Sequence, residues 1–166
     1  MPFSGDQTYD AAIDDVFALF TDPDVVRARY EAAGDRDIEI LECGPQGDGF
    51  VIRTSRTVDV DLPGFARKVL KPTNTMIQVD TWSARDLDGA RDGDFAIEVK
   101  GSPVKVAGEM RIEPTADGGT RHTVDGKLDV KVPLIGGKVA SWAEGPSQQR
   151  LDGEYAFHRA RLADAG

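Results

Sequence analysis

The sequence predicts an α+β fold: a seven-stranded curved antiparallel sheet gripping a long C-terminal helix, with two short helices after strand 1. Three observations predict it. From Asp37 to Val132 apolar residues recur with period two, the signature of half-buried strands. Short Gly/Asp turns separate these runs, and turns that short join antiparallel neighbours. The stretch from about Leu134 to Ala163 reads as helix, the only long element left to cover the sheet's apolar side.

The first strand is PFSGDQTY, with Phe3 and Tyr9 on one face. Asp10 is placed to cap a helix whose stripe is Ile13, Val16, Phe17 and Phe20. Asp22-Pro23 starts a second helix that ends before Gly34, with Val26, Tyr30 and Ala33 on its inner face. DIEILEC and GFVIRTSRTV then pair about a turn at Gly47-Asp48-Gly49. TMIQVDTWSAR and DFAIEVKG follow, then VKVAGEMRIEP and TRHTVDGKLDVKV about the turn TADGG. The phase of the Trp82 strand is split: Ile77 and Val79 favour one face, Met76 and Trp82 the other, and a bulge would reconcile them. Wheeling the last helix at 100° per residue puts Ile135, Val139, Trp142, Pro146, Gln149, Gly153, Phe157 and Ala160 on one stripe.

Gly108 and Gly126 fall on the inward phase of neighbouring strands, where a core normally takes Val or Ile. Paired glycines there predict a sheet curled hard around the helix, with a hollow beneath it. Pro133 ends the last strand, and Gly136-Gly137 supplies the hinge into the helix.

At 166 residues, 40% hydrophobic and 30% charged, the chain reads as a single domain over residues 1–166. A net charge of −9 disfavours nucleic-acid phosphates and anionic membranes as partners. The start, MPFSGDQTYDAA, lacks a secretory pattern, and no apolar run reaches the length of a membrane span. A lone Cys43 and two scattered histidines exclude an intrachain disulfide, fit a cytoplasmic protein and leave little for zinc; no cofactor is expected.

The order of elements resembles, over nearly the whole chain, the helix-grip superfamily of START domains, birch-pollen-allergen-like proteins and polyketide cyclases. SPVKVAGEMRIEP followed by GTRHTVDGKLDVKVPLIGGK resembles more narrowly an actinobacterial family of uncharacterised domains within it. What the resemblance implies is a deep apolar cavity between sheet and last helix for lipids, sterols, polyketides or similar molecules. It carries over no catalytic residue. Gly145-Pro146 departs from a straight gripping helix, because an interior proline kinks or breaks one.

Strand phasing places Ile52, Thr54 and Arg56 against that cavity, with Phe95, Ile97, Gly108 and Met110 from the middle strands, and Trp82 joins them as a candidate wall. His122, Val124 and Leu128 follow from the last strand, and Trp142 and Phe157 from the helix. His122 either bonds a ligand carbonyl or acts as a base, or is satisfied by a neighbour near the strand end. Arg56, beside Thr54, either meets a ligand carboxylate or snorkels from an exposed strand end. Trp82 and Trp142 either wall the pocket or fill core. LPGFARKVLKP, residues 62–72, is a lid over the mouth, a basic spot steering an acidic ligand, or a solvated connector with one apolar anchor. DLDGARDGD fails the spacing of a calcium loop, and PLIGGKV that of a phosphate loop.

Three functions remain open. The first is an intracellular carrier or sensor of a hydrophobic small molecule, monomeric or homodimeric. The second is a cyclase or aromatase in which His122, with Arg56 or Asp80, moves protons. The third is an interaction module whose interior is filled by its own side chains.

Overall fold

In the computed structural model, which describes residues 2–165, period-two patterning becomes one seven-stranded antiparallel sheet. The strands are β1 (Pro2–Tyr9), β2 (Arg36–Gln46), β3 (Gly49–Asp59), β4 (Thr73–Trp82), β5 (Arg91–Val99), β6 (Val104–Pro114) and β7 (Thr120–Val130). Their spatial order is β1-β7-β6-β5-β4-β3-β2, so the first strand closes one edge against the last. Helices α1 (Ile13–Thr21) and α2 (Pro23–Ala32) carry the chain from that edge to the other. Helix α3 (Gly136–Ala165) packs on the concave side.

Helix α2 starts as its sequence dictates: the Asp22 carboxylate accepts from the Asp24 amide, Pro23 follows, and Gly34 takes a φ of +91° beyond the end. Helix α1 does not. Its cap is Ala12, with no side-chain bond, and Asp10 lies outside the helix. Val16 and Phe20 are buried as the stripe requires, whereas Ala33 ends α2 exposed while Val25 turns inward.

Strand β4 runs in unbroken register against β3, from Asp59↔Thr73 to Phe50↔Trp82. No bulge is needed. Met76, Gln78, Asp80 and Trp82 face the helix, and Ile77 and Val79 stay half-buried on the other face. Register set by two neighbouring strands overrides the local preference of Ile77 and Val79, because a slip would invert the whole strand.

Gly108 and Gly126 sit opposite each other across β6 and β7. The space they free is not hollow: the Phe95 ring covers Gly108 and the Phe3 ring covers Gly126. Those rings lie 6.4 Å apart at their centroids, so the glycines admit two aromatic side chains close against the sheet. The turn into α3 is also made differently. Leu134 takes the positive φ of +72°, while Gly136 is required because a Cβ there would strike the Val130 carbonyl.

Helix α3 continues through Pro146 rather than breaking. Proline has no N–H, so the Trp142 carbonyl loses its helical donor there. The buried face is Gly136, Val139, Ala140, Ala143, Leu151, Tyr155 and His158. This corrects the wheel above: Gln149, Gly153 and Ala160 are not on the buried face, and Phe157 lies on the flank. Apolar residues are spread almost evenly around this helix, so bulk alone pointed to the wrong side. Small Ala140 and Ala143 are what let the helix approach Leu128 of β7 closely.

Residues 62–72 form a 3₁₀ turn (Gly64–Lys68) held by four buried side chains: Leu62, Ala66, Val69 and Leu70. They pack with Val99, Val104 and Val139 across the sheet's end, so the segment has more than one anchor.

Candidate functional site

Between the sheet and α3 lies a cavity of about 430 Å³. One wall is built from the inward positions of β5, β6 and β7: Phe95, Ile97, Val99, Val104, Val106, Met110, Val124 and Leu128, with His122 its one polar member. The opposite wall mixes Ile52, Arg56 and Val58 of β3 with Met76, Gln78, Asp80 and Trp82 of β4. Arg29 from α2 and Trp142, Arg150, Leu151, Glu154 and His158 from α3 close it. The lining reaches the surface at Asp59 and Asp61, both exposed, at the end of β3.

The mixed wall holds a buried charge cluster. Arg56 is 3% exposed, and its guanidinium stacks 4.2 Å from the centroid of the Tyr30 ring. Asp35, whose side chain is 2% exposed, is its counterion, with Arg56 Nε 3.1 Å from Oδ2. That contact lacks hydrogen-bond geometry. Arg150 is the residue that bonds both Asp35 oxygens, Nη1 to Oδ1 at 3.1 Å and Nη2 to Oδ2. Asp80 accepts from Gln78 Nε2 at 2.9 Å, and burial pushes its carboxyl above the usual range against the pull of Arg29. Arg29 lies 3.9 Å from Glu154. Burial opposes the Arg29 charge, but Glu154, Tyr30 and Asp80 outweigh it and hold the guanidinium above its ordinary range.

His122 is 7% exposed, enclosed by Phe20 at 4.9 Å and Tyr155 at 5.2 Å between ring centroids. Neither ring nitrogen has a hydrogen-bond partner among the described residues; Tyr155 Oη donates only to the backbone carbonyl, at 3.3 Å. Burial first, and Arg29 second, push the imidazole down to about 3, so it is neutral at physiological pH. A second imidazole, His158 of α3, meets Phe20 at 4.5 Å and is driven well below its usual value by burial, Arg29 and His122. The arrangement offers an apolar bed, fixed cations and neutral imidazoles, a surface suited to an amphipathic guest.

Of the residues expected against the cavity, Ile52, Arg56, Asp80, Trp82, Phe95, Ile97, Met110, His122, Val124, Leu128 and Trp142 line it. Thr54 does not. It is buried on the same face, between Ile52 and Arg56 and opposite Gln78, and is absent from the lining. Gly108 is hidden under Phe95, and Phe157 borders a separate pocket of about 180 Å³ with Tyr30 and Gly153. Arg29, Gln78, Arg150, Glu154 and His158 join the lining without having been expected there. A settled phase for β4 would have found Gln78. The helix residues carry no local signal, since their roles arise from packing across the sheet. Among the described residues no group of three or more His, Cys, Asp or Glu is placed to hold a metal ion.

A family model described as "protein of unknown function (DUF2505)" matches residues 4–162. An uncharacterised protein of Mycobacterium tuberculosis is 27% identical over 149 residues, covering 84% of each chain. Among solved structures, a protein from Thermus thermophilus superposes with a TM-score of 0.68 at 13% identity, covering 100% of this chain and 99% of its own. The human StarD13 lipid transfer and protein localization domain gives 0.59 at 15% identity, covering 96% and 75%. Ara h 8.0201 gives 0.57 at 17% identity, covering 96% and 98%. At these identities the likeness is one of fold, and that fold is the helix-grip architecture.

Proposed function

The chain belongs to the DUF2505 family, and from that premise and its cavity we propose that it binds a hydrophobic small molecule between sheet and α3, as an intracellular carrier or sensor. One observation carries the reading: about 430 Å³ of space remains behind an almost wholly apolar β5–β7 wall. That volume lies in the range of small-molecule sites, and such sites pair apolar walls with a few oriented polar groups. The fold of the StarD13 lipid transfer domain supports the reading by analogy.

Proton transfer in the same cavity is less well supported. An imidazole whose conjugate acid titrates near 3 is a weak general base, although His122 stands beside the guest's space. A filled interior is disfavoured by the cavity itself.

Native mass spectrometry on protein purified from its source cells, followed by denaturation and solvent extraction, tests the proposal. The expected result is one small hydrophobic molecule released per chain. An extract identical to that of a control protein, together with no uptake of any apolar dye, would sink it.

A further inference from the structure

We infer that the guest is a hydrophobic carboxylic acid, its carboxylate held by Arg56 and its hydrocarbon body lying on the β5–β7 wall; this rests on the cavity being a ligand site. The inference comes from buried hydrogen-bond donors of Arg56 that go unmet. Two guanidinium groups share the single carboxylate of Asp35, and Arg150 takes both of its oxygens in hydrogen bonds. Arg56 keeps only an ion-pair contact, and its Nε and Nη1 have no hydrogen-bond partner among the described residues. Yet Arg56 lies in the cavity wall at 3% exposure, where water cannot freely solvate it.

A guanidinium stays charged at any ordinary pH and offers donors only, so what satisfies Arg56 must bring an acceptor. The cation–π contact with Tyr30 consumes none of the group's donors, leaving its N–H fork for hydrogen bonding. A carboxylate matches that fork in both geometry and charge. The other acids of the cavity make no hydrogen bond to Arg56: Asp80 accepts from Gln78 and attracts Arg56 only through space, and Glu154 lies against Arg29. An amine would bring charge of the wrong sign to these donors, and an alcohol a single uncharged acceptor.

The test compares matched ten-carbon probes for displacement of the neutral dye N-phenylnaphthylamine from the full chain at neutral pH. Decanoic acid should displace the dye at about tenfold lower concentration than decanol or methyl decanoate, the ratio expected for a charge-assisted contact. Arg56→Gln should bring the three probes to similar potency while the dye still binds. Equal potency of acid and alcohol on the unaltered protein would overturn the carboxylate inference and leave the cavity reading standing. Failure of the dye and of all three probes to bind would overturn both. The wild-type comparison decides the matter even where Arg56→Gln does not fold.

Discussion

The two walls of the cavity are built from neighbouring strands of one sheet, yet they obey different rules. The β5–β7 wall is an apolar surface in which each strand presents its hydrophobic phase inward. The β3–β4 wall turns Arg56, Gln78 and Asp80 inward and leaves Ile77 and Val79 on the far side. The first is a surface that any fold of this kind needs. The second is costly, because buried charges lose hydration and recover it only through well-placed partners. The contrast teaches that one sheet can carry a surface dictated by burial alone beside one whose buried charges depend on partners from distant segments.

The largest expected effect comes from breaking the mixed wall at its counterion. Asp35→Ala leaves Arg56 buried without a carboxylate and should cost about 3–5 kcal/mol. On the apolar wall, Ile97→Val should cost only about 0.5–1.5 kcal/mol, as a methylene removed from a half-buried site does. Urea denaturation of both variants checks the ratio; equal losses would erase the distinction between the walls.

Acid sharpens the comparison at His122, the one polar member of the β5–β7 wall. Its folded pKa of about 3 lies below the ordinary 6.5, so the unfolded chain takes up a proton first. Stability is therefore fully present above pH 6.5 and erodes as pH falls toward 3, by roughly 4–5 kcal/mol. His158 acts in the same direction, under the same Arg29 and beside Tyr9 and Phe20. His122→Gln should flatten the stability profile between those pH values and leave a residual slope from His158. An unchanged profile would mean that His122 is protonated in the folded state.

A smaller effect belongs to the apolar wall alone. In Gly108→Ala the new Cβ would meet the Asp125 carbonyl and come within 2.7 Å of the Phe95 ring. Backbone cannot yield cheaply, so a loss of about 1–3 kcal/mol is expected, read as a lower melting temperature. A neutral outcome would show that neither the Asp125 carbonyl nor the Phe95 ring closes over the glycine.

The strand and helix order, the antiparallel turns and the start of α2 were legible in the chain because they depend on local matters: period, Gly/Asp turns and a capping carboxylate beside a proline. The inward placement of Arg56 and His122 was legible for the same reason, through strand parity. What the sequence alone could not settle were quantities fixed between elements. The phase of β4 was decided by its neighbours' register, and the inner face of α3 by which small side chains could approach β7. The partner of Arg56 came from Asp35, between α2 and β2, and the competing hold of Arg150 from α3. Local chemistry selects conformations residue by residue, whereas a cavity and its charge balance exist only once distant segments share one space.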